Sequence, residues 1–122
     1  MNDSIFTTIK SLLDIHDDDD SFDADILTFI NTAFYSLRQI GVGPRNGFVI
    51  DGPDQTWSDF SEDQSLISEV KTYIQQKVRL LFDPPNNSFL VSAIQDNIKE
   101  LEFRLNIDGE GAFNTEQETD HE

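Results

Sequence analysis

The stretch Lys77-Val78-Arg79-Leu80-Leu81-Phe82-Asp83-Pro84-Pro85-Asn86-Asn87-Ser88 decides the fold. Before it, Leu66, Val70, Tyr73, Ile74, Val78 and Leu81 recur at the three- and four-residue spacing of one helical face. Asp83-Pro84-Pro85 stops that helix, because a residue before proline is pushed out of the α region. Asn86, Asn87 or Ser88 can then cap the free N–H groups of a new helix. Leu90, Ala93, Ile94, Ile98, Leu101 and Leu105 form its stripe. The turn between the two is so short that they must pack as an antiparallel hairpin.

Working back towards the N-terminus, Ile5, Ile9, Leu12 and Leu13 share one helical face, with Asp3 or Ser4 as the cap. This predicts a first helix from about Ser4 to Ile15. His16 and the run Asp17–Asp20 follow. Four carboxylates are unfavourable at the negative end of a helix dipole and suit the start of the next helix. The second helix is therefore expected from about Asp20 or Ser21 to Ile40, with Ile26, Ile30, Ala33, Phe34 and Leu37 as its stripe. Gly41-Val42-Gly43-Pro44 ends it. Residues 41–62 do not read as helix. Phe48-Val49-Ile50, Asp51-Gly52 and Gln55-Thr56-Trp57 could form a short β-hairpin within this long loop. The expectation is an all-α, four-helix bundle-like domain over residues 1–107. It has a long loop between the second and third helices and a flexible acidic tail over residues 108–122.

Charge is unevenly placed. The 122 residues carry 24 acids and 8 bases, a net charge of −16. Residues 1–25 hold eight acids and one base, 51–69 hold six acids and no base, and 108–122 again hold six acids and no base. Residues 26–50 hold no acid at all, only Arg38 and Arg45. A balance this acidic argues against gripping nucleic acid, which needs clustered Lys and Arg. No apolar run approaches the ~18 residues of a membrane span. Met1-Asn2-Asp3-Ser4 lacks the basic region of a signal peptide, so synthesis in a cytoplasm is expected.

Catalytic and metal-binding patterns are not found. The chain has no Cys, which excludes a thiol nucleophile, a thiolate metal site and a disulfide framework. His16 and His121 are the only histidines, and neither has a nucleophile at a recognised spacing. The glycines at 41 and 43 follow a helix and lack the lysine of a phosphate loop. Asp17–Asp20 fails the calcium-loop pattern, since Phe22 and Thr28 occupy the places where Gly and Glu are required. The acidic run reads more simply as a solvated turn. No enzyme activity, cofactor or metal is expected.

Trp57 and Phe60 sit in the acidic loop and off any helical stripe. They either fold back over the bundle or anchor a partner. Arg38, Arg45, Lys77 and Arg79 either solubilise helix surfaces or meet acidic blocks of neighbouring copies.

Several segments together resemble the head-tail connector family of long-tailed bacteriophages, also called head-completion or adaptor proteins. They are Gly41-Val42-Gly43-Pro44, Thr56-Trp57-Ser58-Asp59-Phe60, Val70-Lys71-Thr72-Tyr73-Ile74, the KVRLLFDPP stretch from Lys77 to Pro85, and Ile98-Lys99-Glu100-Leu101-Glu102-Phe103-Arg104-Leu105-Asn106. The resemblance covers about Ser4 to Ile107. It implies a structural virion protein at the head-tail interface, not an enzyme. Members assemble as a ring beneath the portal once DNA is packaged. They extend the DNA channel and form the platform for the stopper or tail protein. The ring is expected to be dodecameric, with monomers in solution and DNA only as passing cargo. On this resemblance the interface candidates are Val49, Trp57 and Phe60 in the loop, Arg38 and Arg79 on helices, and Arg104 at the start of a portal-docking C-terminal segment. The alternative is a free-standing acidic binding protein, either a nucleic-acid mimic or an inhibitor of a basic partner. A mimic needs a continuous ordered negative face, whereas the acids here fall largely in turns and a tail.

Overall fold

A computed structural model of the chain describes residues 3–106. The elements run α1 (Ile5–Leu12), α2 (Asp23–Gln39), α3 (Trp57–Phe60), α4 (Gln64–Phe82) and α5 (Ser88–His121). The expectation of a flexible tail over residues 108–122 falls outside the described residues. Helices α2, α4 and α5 form the body, and α1 packs against α2 and α4.

Each boundary has a local cause. The Ser4 hydroxyl accepts from the Thr7 N–H and caps α1. Asp63 accepts from the Ser65 and Leu66 N–H groups at the head of α4. Asn87 does the same for α5 through Phe89 and Leu90. The first helix stops three residues earlier than its spacing predicts, because Asp14 takes a left-handed φ of 63°. The second starts at Asp23, past the expected Asp20 or Ser21, and Phe22 at its head supplies no side-chain cap.

The helix directions follow from side-chain contacts. Tyr73 on α4 donates to Glu102 on α5, and Asn97 on α5 donates to Gln76 on α4, so these two run antiparallel. Phe22, just before α2, meets the Phe82 ring edge-on at 5.1 Å, while Ser36 hydrogen-bonds Tyr73, so α2 and α4 also run antiparallel. Hence α2 and α5 run the same way, and Asn106 of α5 reaches the Ile40 carbonyl at the end of α2.

The core is one cluster. The five apolar residues expected on the second helix are all buried. The four large ones, Ile26, Ile30, Phe34 and Leu37, each stabilise by roughly 1.5–3 kcal/mol before entropy is charged, and Ala33 by less. On α4 the buried stripe is Ile67, Val70, Tyr73, Ile74 and Val78. Four expected core positions differ: Leu12, Leu81 and Leu90 are about half exposed, and Ala93 is exposed. All but Ala93 lie at the end of the bundle where α4 turns into α5. The first turns of α5 extend past the neighbours that would cover them, leaving Phe89 80% exposed.

The hairpin expected in the loop does not form, and there is no strand among the described residues. Thr56 pairs instead with Ser4, flanked by hydrogen bonds from Ile5 N–H to the Gln55 carbonyl and from Trp57 N–H to the Asp3 carbonyl. The residues expected to return the hairpin thus pair with the N-terminus. The loop also contains the short α3, closed by a capping box between Thr56 and Asp59.

Candidate functional site

Two hollows lie where the long loop crosses α2. Asn31 holds the loop in place. Its Oδ1 accepts from the Ile50 N–H at 2.8 Å and its Nδ2 donates to the Ile50 carbonyl at 2.9 Å. A side-chain amide therefore supplies both bonds that a neighbouring strand would have given. Fixing Ile50 buries its side chain and turns Val49 outward, where it is 71% exposed.

Beneath the loop, Phe34, Phe48 and Phe60 form a ring cluster with centroids 5.0 to 5.3 Å apart. Such aromatic pairs add about 0.5–1.5 kcal/mol each beyond the area they bury. Gly43, at φ 95°, packs directly on Phe60. Trp57 is buried in the core, with its indole N–H donating to the Thr8 hydroxyl at 3.2 Å and Lys71 Nζ 5.4 Å from the ring. Trp57 and Phe60 thus bind the loop to the bundle, and neither presents its side chain as a surface anchor. Of the two roles open to them in the sequence, the structure displays the folded-back one.

Two adjoining hollows of about 180 Å³ each flank Arg38 on this surface. One is walled by Tyr35, Asn46 and Val49, the other by Gly43, Pro44 and Arg45. The Arg38 stem runs against Gly47, where an added Cβ would lie 3.4 Å from Cδ. Arg38 as a whole is exposed, as is Tyr35 at 59%. The structure therefore brings together Arg38 and Val49 among the expected interface residues. It leaves Arg79 and Arg104 exposed elsewhere, on α4 and α5. Tyr35 and Asn31 were not singled out in the sequence. Their signal was polarity on the helix face beside the Ile30–Phe34–Leu37 stripe.

The acidic run has its own organiser, also missed. Lys10 is only 2% exposed. Its Nζ donates to the Asp17 and Asp19 carbonyls at 3.2 and 2.9 Å and lies 3.0 Å from Asp23 Oδ1. The last contact is an ion pair without hydrogen-bond geometry, as Oδ1 has no hydrogen-bond partner. The Ser21 N–H donates to the Asp19 carboxylate and, as the largest cause, holds its pKa below the usual value. One base thus folds the acidic turn from beneath. Among the described residues no three acids or histidines converge as metal ligands would.

Comparison with known proteins gives the surface its context. The profile of the phage connector protein family matches residues 5–112. The chain belongs to that family. No curated protein and no solved structure matches it. A phage connector is a structural component of the virion that works by contacting other head and tail proteins, not by catalysis. The family match spans every motif that carried the resemblance, from Gly41 through Asn106. No helix among the described residues is long and apolar enough to cross a membrane.

Proposed function

We propose that this connector forms a ring beneath the portal after DNA packaging, lengthens the DNA channel and presents the platform for the stopper or tail protein. The observation that carries this reading is the family match across residues 5–112. The geometry supports it by offering two separate surfaces. One is the Arg38–Val49 face. The other is the far end of the bundle, where Phe22, Leu81, Phe89 and Leu90 are exposed together. A closed ring of identical subunits needs different patches that meet around the circle, and contact with portal and stopper needs further surface above and below. Exposed apolar groups grouped in this way mark interaction sites more often than chance exposure does.

The acid distribution suits a conduit. Phosphate finds no dense set of bases here, so passing DNA gains little by staying. A free-standing mimic is less well supported, because Asp17–Asp20 fold into a tight turn around Lys10 and do not extend along a helix face. Electron microscopy of heads from a virus lacking this protein tests the proposal. Filled heads without tails, prone to lose DNA, are expected. Heads that join tails normally would overturn it.

A further inference from the structure

We propose that the end of the bundle where Phe22 and Phe89 are exposed docks on the Tyr35–Arg38–Val49 face of a second copy of this chain. The inference rests on the ring reading, since it assigns that ring's subunit contact.

Charge selects the occupant. Both surfaces carry exposed apolar side chains, Phe22, Phe89 and Leu90 on one, Tyr35 and Val49 on the other. Their flanks are opposite in sign. Around the first, Asp17, Asp18, Asp20, Asp25 and Asp83 are exposed, with Arg79 as the exposed base. On the second, Arg38 is exposed, and among the described residues no acid lines the hollow beside it. The next acid along the chain, Asp51, accepts from Gln55 Nε2 at 2.8 Å. Arginine forks match carboxylates with two parallel hydrogen bonds, which fixes orientation as well as adding energy. Pairing either surface with itself would instead set acid against acid or arginine against arginine, and such like-charge contacts suppress the wrong partner.

Helix geometry selects a second copy over the same molecule. Phe22 heads α2, and Arg38 lies in its last turn. The helix between them holds the two residues about 24 Å apart along its axis. Helix α2 packs on α4 through its buried stripe, so it cannot fold to bring its own ends together. The two surfaces can meet only between copies. Such a contact is head-to-tail, and it leaves one free surface of each kind until a circle closes. The side chains involved are exposed in the single chain, so docking removes apolar surface from water without disturbing the core. Exposed arginine–carboxylate pairs are individually weak, so each joint is reversible until the whole circle closes.

The chain has no Cys, so introduced thiols are its only ones. Asn46→Cys and Ser88→Cys place one thiol beside each surface, at exposed positions that leave the apolar side chains intact. The full-length chain carrying both is added to heads that lack the protein, treated with a flexible bismaleimide and resolved on a denaturing gel. A ladder of multiples of the chain is expected, because each copy then links to the next. Chains with either thiol alone should stay monomeric. Arg38→Glu should cut the ladder about tenfold. Adding Asp20→Lys and Asp25→Lys to that variant should restore it, with far-ultraviolet circular dichroism unchanged throughout, since every substituted position is exposed. Dimers from one thiol alone would show a surface pairing with itself, and links to the portal would give that surface to the portal instead. Attached copies without a ladder would leave the two surfaces apart, and a ladder indifferent to charge reversal, or not restored by it, would remove the complementarity that selects them. Each of these results overturns the inference. Wild-type copies that never attach to heads overturn the ring reading beneath it.

Discussion

Two single residues hold polar chemistry inside this otherwise apolar bundle. Lys10 is buried, yet it neutralises a turn rich in acid through two carbonyls and the Asp23 carboxylate. Lys10→Met keeps the stem and removes the charge. It leaves both carbonyls without a donor and Asp23 without its cation. Breaking a fully buried pair costs about 3–5 kcal/mol. Asp23 is 34% exposed, so solvent recovers part of that, and a loss of about 2–3 kcal/mol is expected. A lower urea midpoint at unchanged slope would report it, and an unchanged midpoint would reduce Lys10 to a spectator. Tyr73 gives a pH-dependent case. Burial first, then the hydrogen bond to Glu102, raises its pKa above the ordinary 10.0. The folded-state value lies above the unfolded one. The resulting stabilisation is complete below about pH 10 and fades as pH rises past it. Tyr73→Phe should cost about 1 kcal/mol at neutral pH. The stability gap between wild type and Tyr73→Phe should then narrow above pH 10. A constant gap from pH 7 to 11 would show that the phenol does not titrate differently on folding.

At the scale of elements, the long helices were legible and the loop was not. The Ile26–Ile30–Phe34–Leu37 spacing and the Asp83-Pro84-Pro85 stop are local signals, and α2, α4 and the start of α5 follow them closely. Helix α3 spans only Trp57–Phe60, too short to show a period. The hairpin expectation failed for a related reason. Residues 48–50 and 55–57 do seek backbone partners, but those partners are Asn31 and the segment around Ser4, which no local pattern reveals. Lys10 escaped notice because lysine is almost never fully buried. The candidate site was half legible. Arg38 and Val49 meet at one groove, whereas Trp57 and Phe60 proved to be its foundation. That foundation can be tested directly. At Gly43 an alanine Cβ would fall 2.6 Å from Phe60 Cε1 at a φ of 95°. Backbone strain and overpacking then add, and Gly43→Ala should lose about 2–4 kcal/mol. Trp57→Ala should lose about 3–5 kcal/mol by leaving a cavity beneath α3. Thermal unfolding followed by circular dichroism measures both, and a melting point within a degree of wild type for either would detach the loop from the core.

For the whole molecule, the question is which part of the surface serves assembly and which part serves folding. The net charge of −16 makes copies of the chain repel one another, and the acid-free stretch from Ile26 to Ile50 is where that repulsion is locally relieved. Assembly through this stretch should therefore be steered by charge and weakened by salt, whereas the apolar core is indifferent to salt. Val49 separates the two requirements. Its side chain is 71% exposed and carries little of the fold, while Ile50 beside it is buried and tied to Asn31. Val49→Asp should accordingly leave folding stability within about 0.5 kcal/mol of wild type. The same substitution puts a carboxylate beside Arg38 in the acid-free stretch and removes the local relief of charge, so head attachment should fall several-fold, and more steeply at low salt, where like charges repel at longer range. Quantifying the protein per purified head, alongside a urea titration of the free chain, reads both effects from one variant. Full occupancy of heads by Val49→Asp would remove this face from the assembly, and a matching loss of stability would make Val49 a folding residue after all.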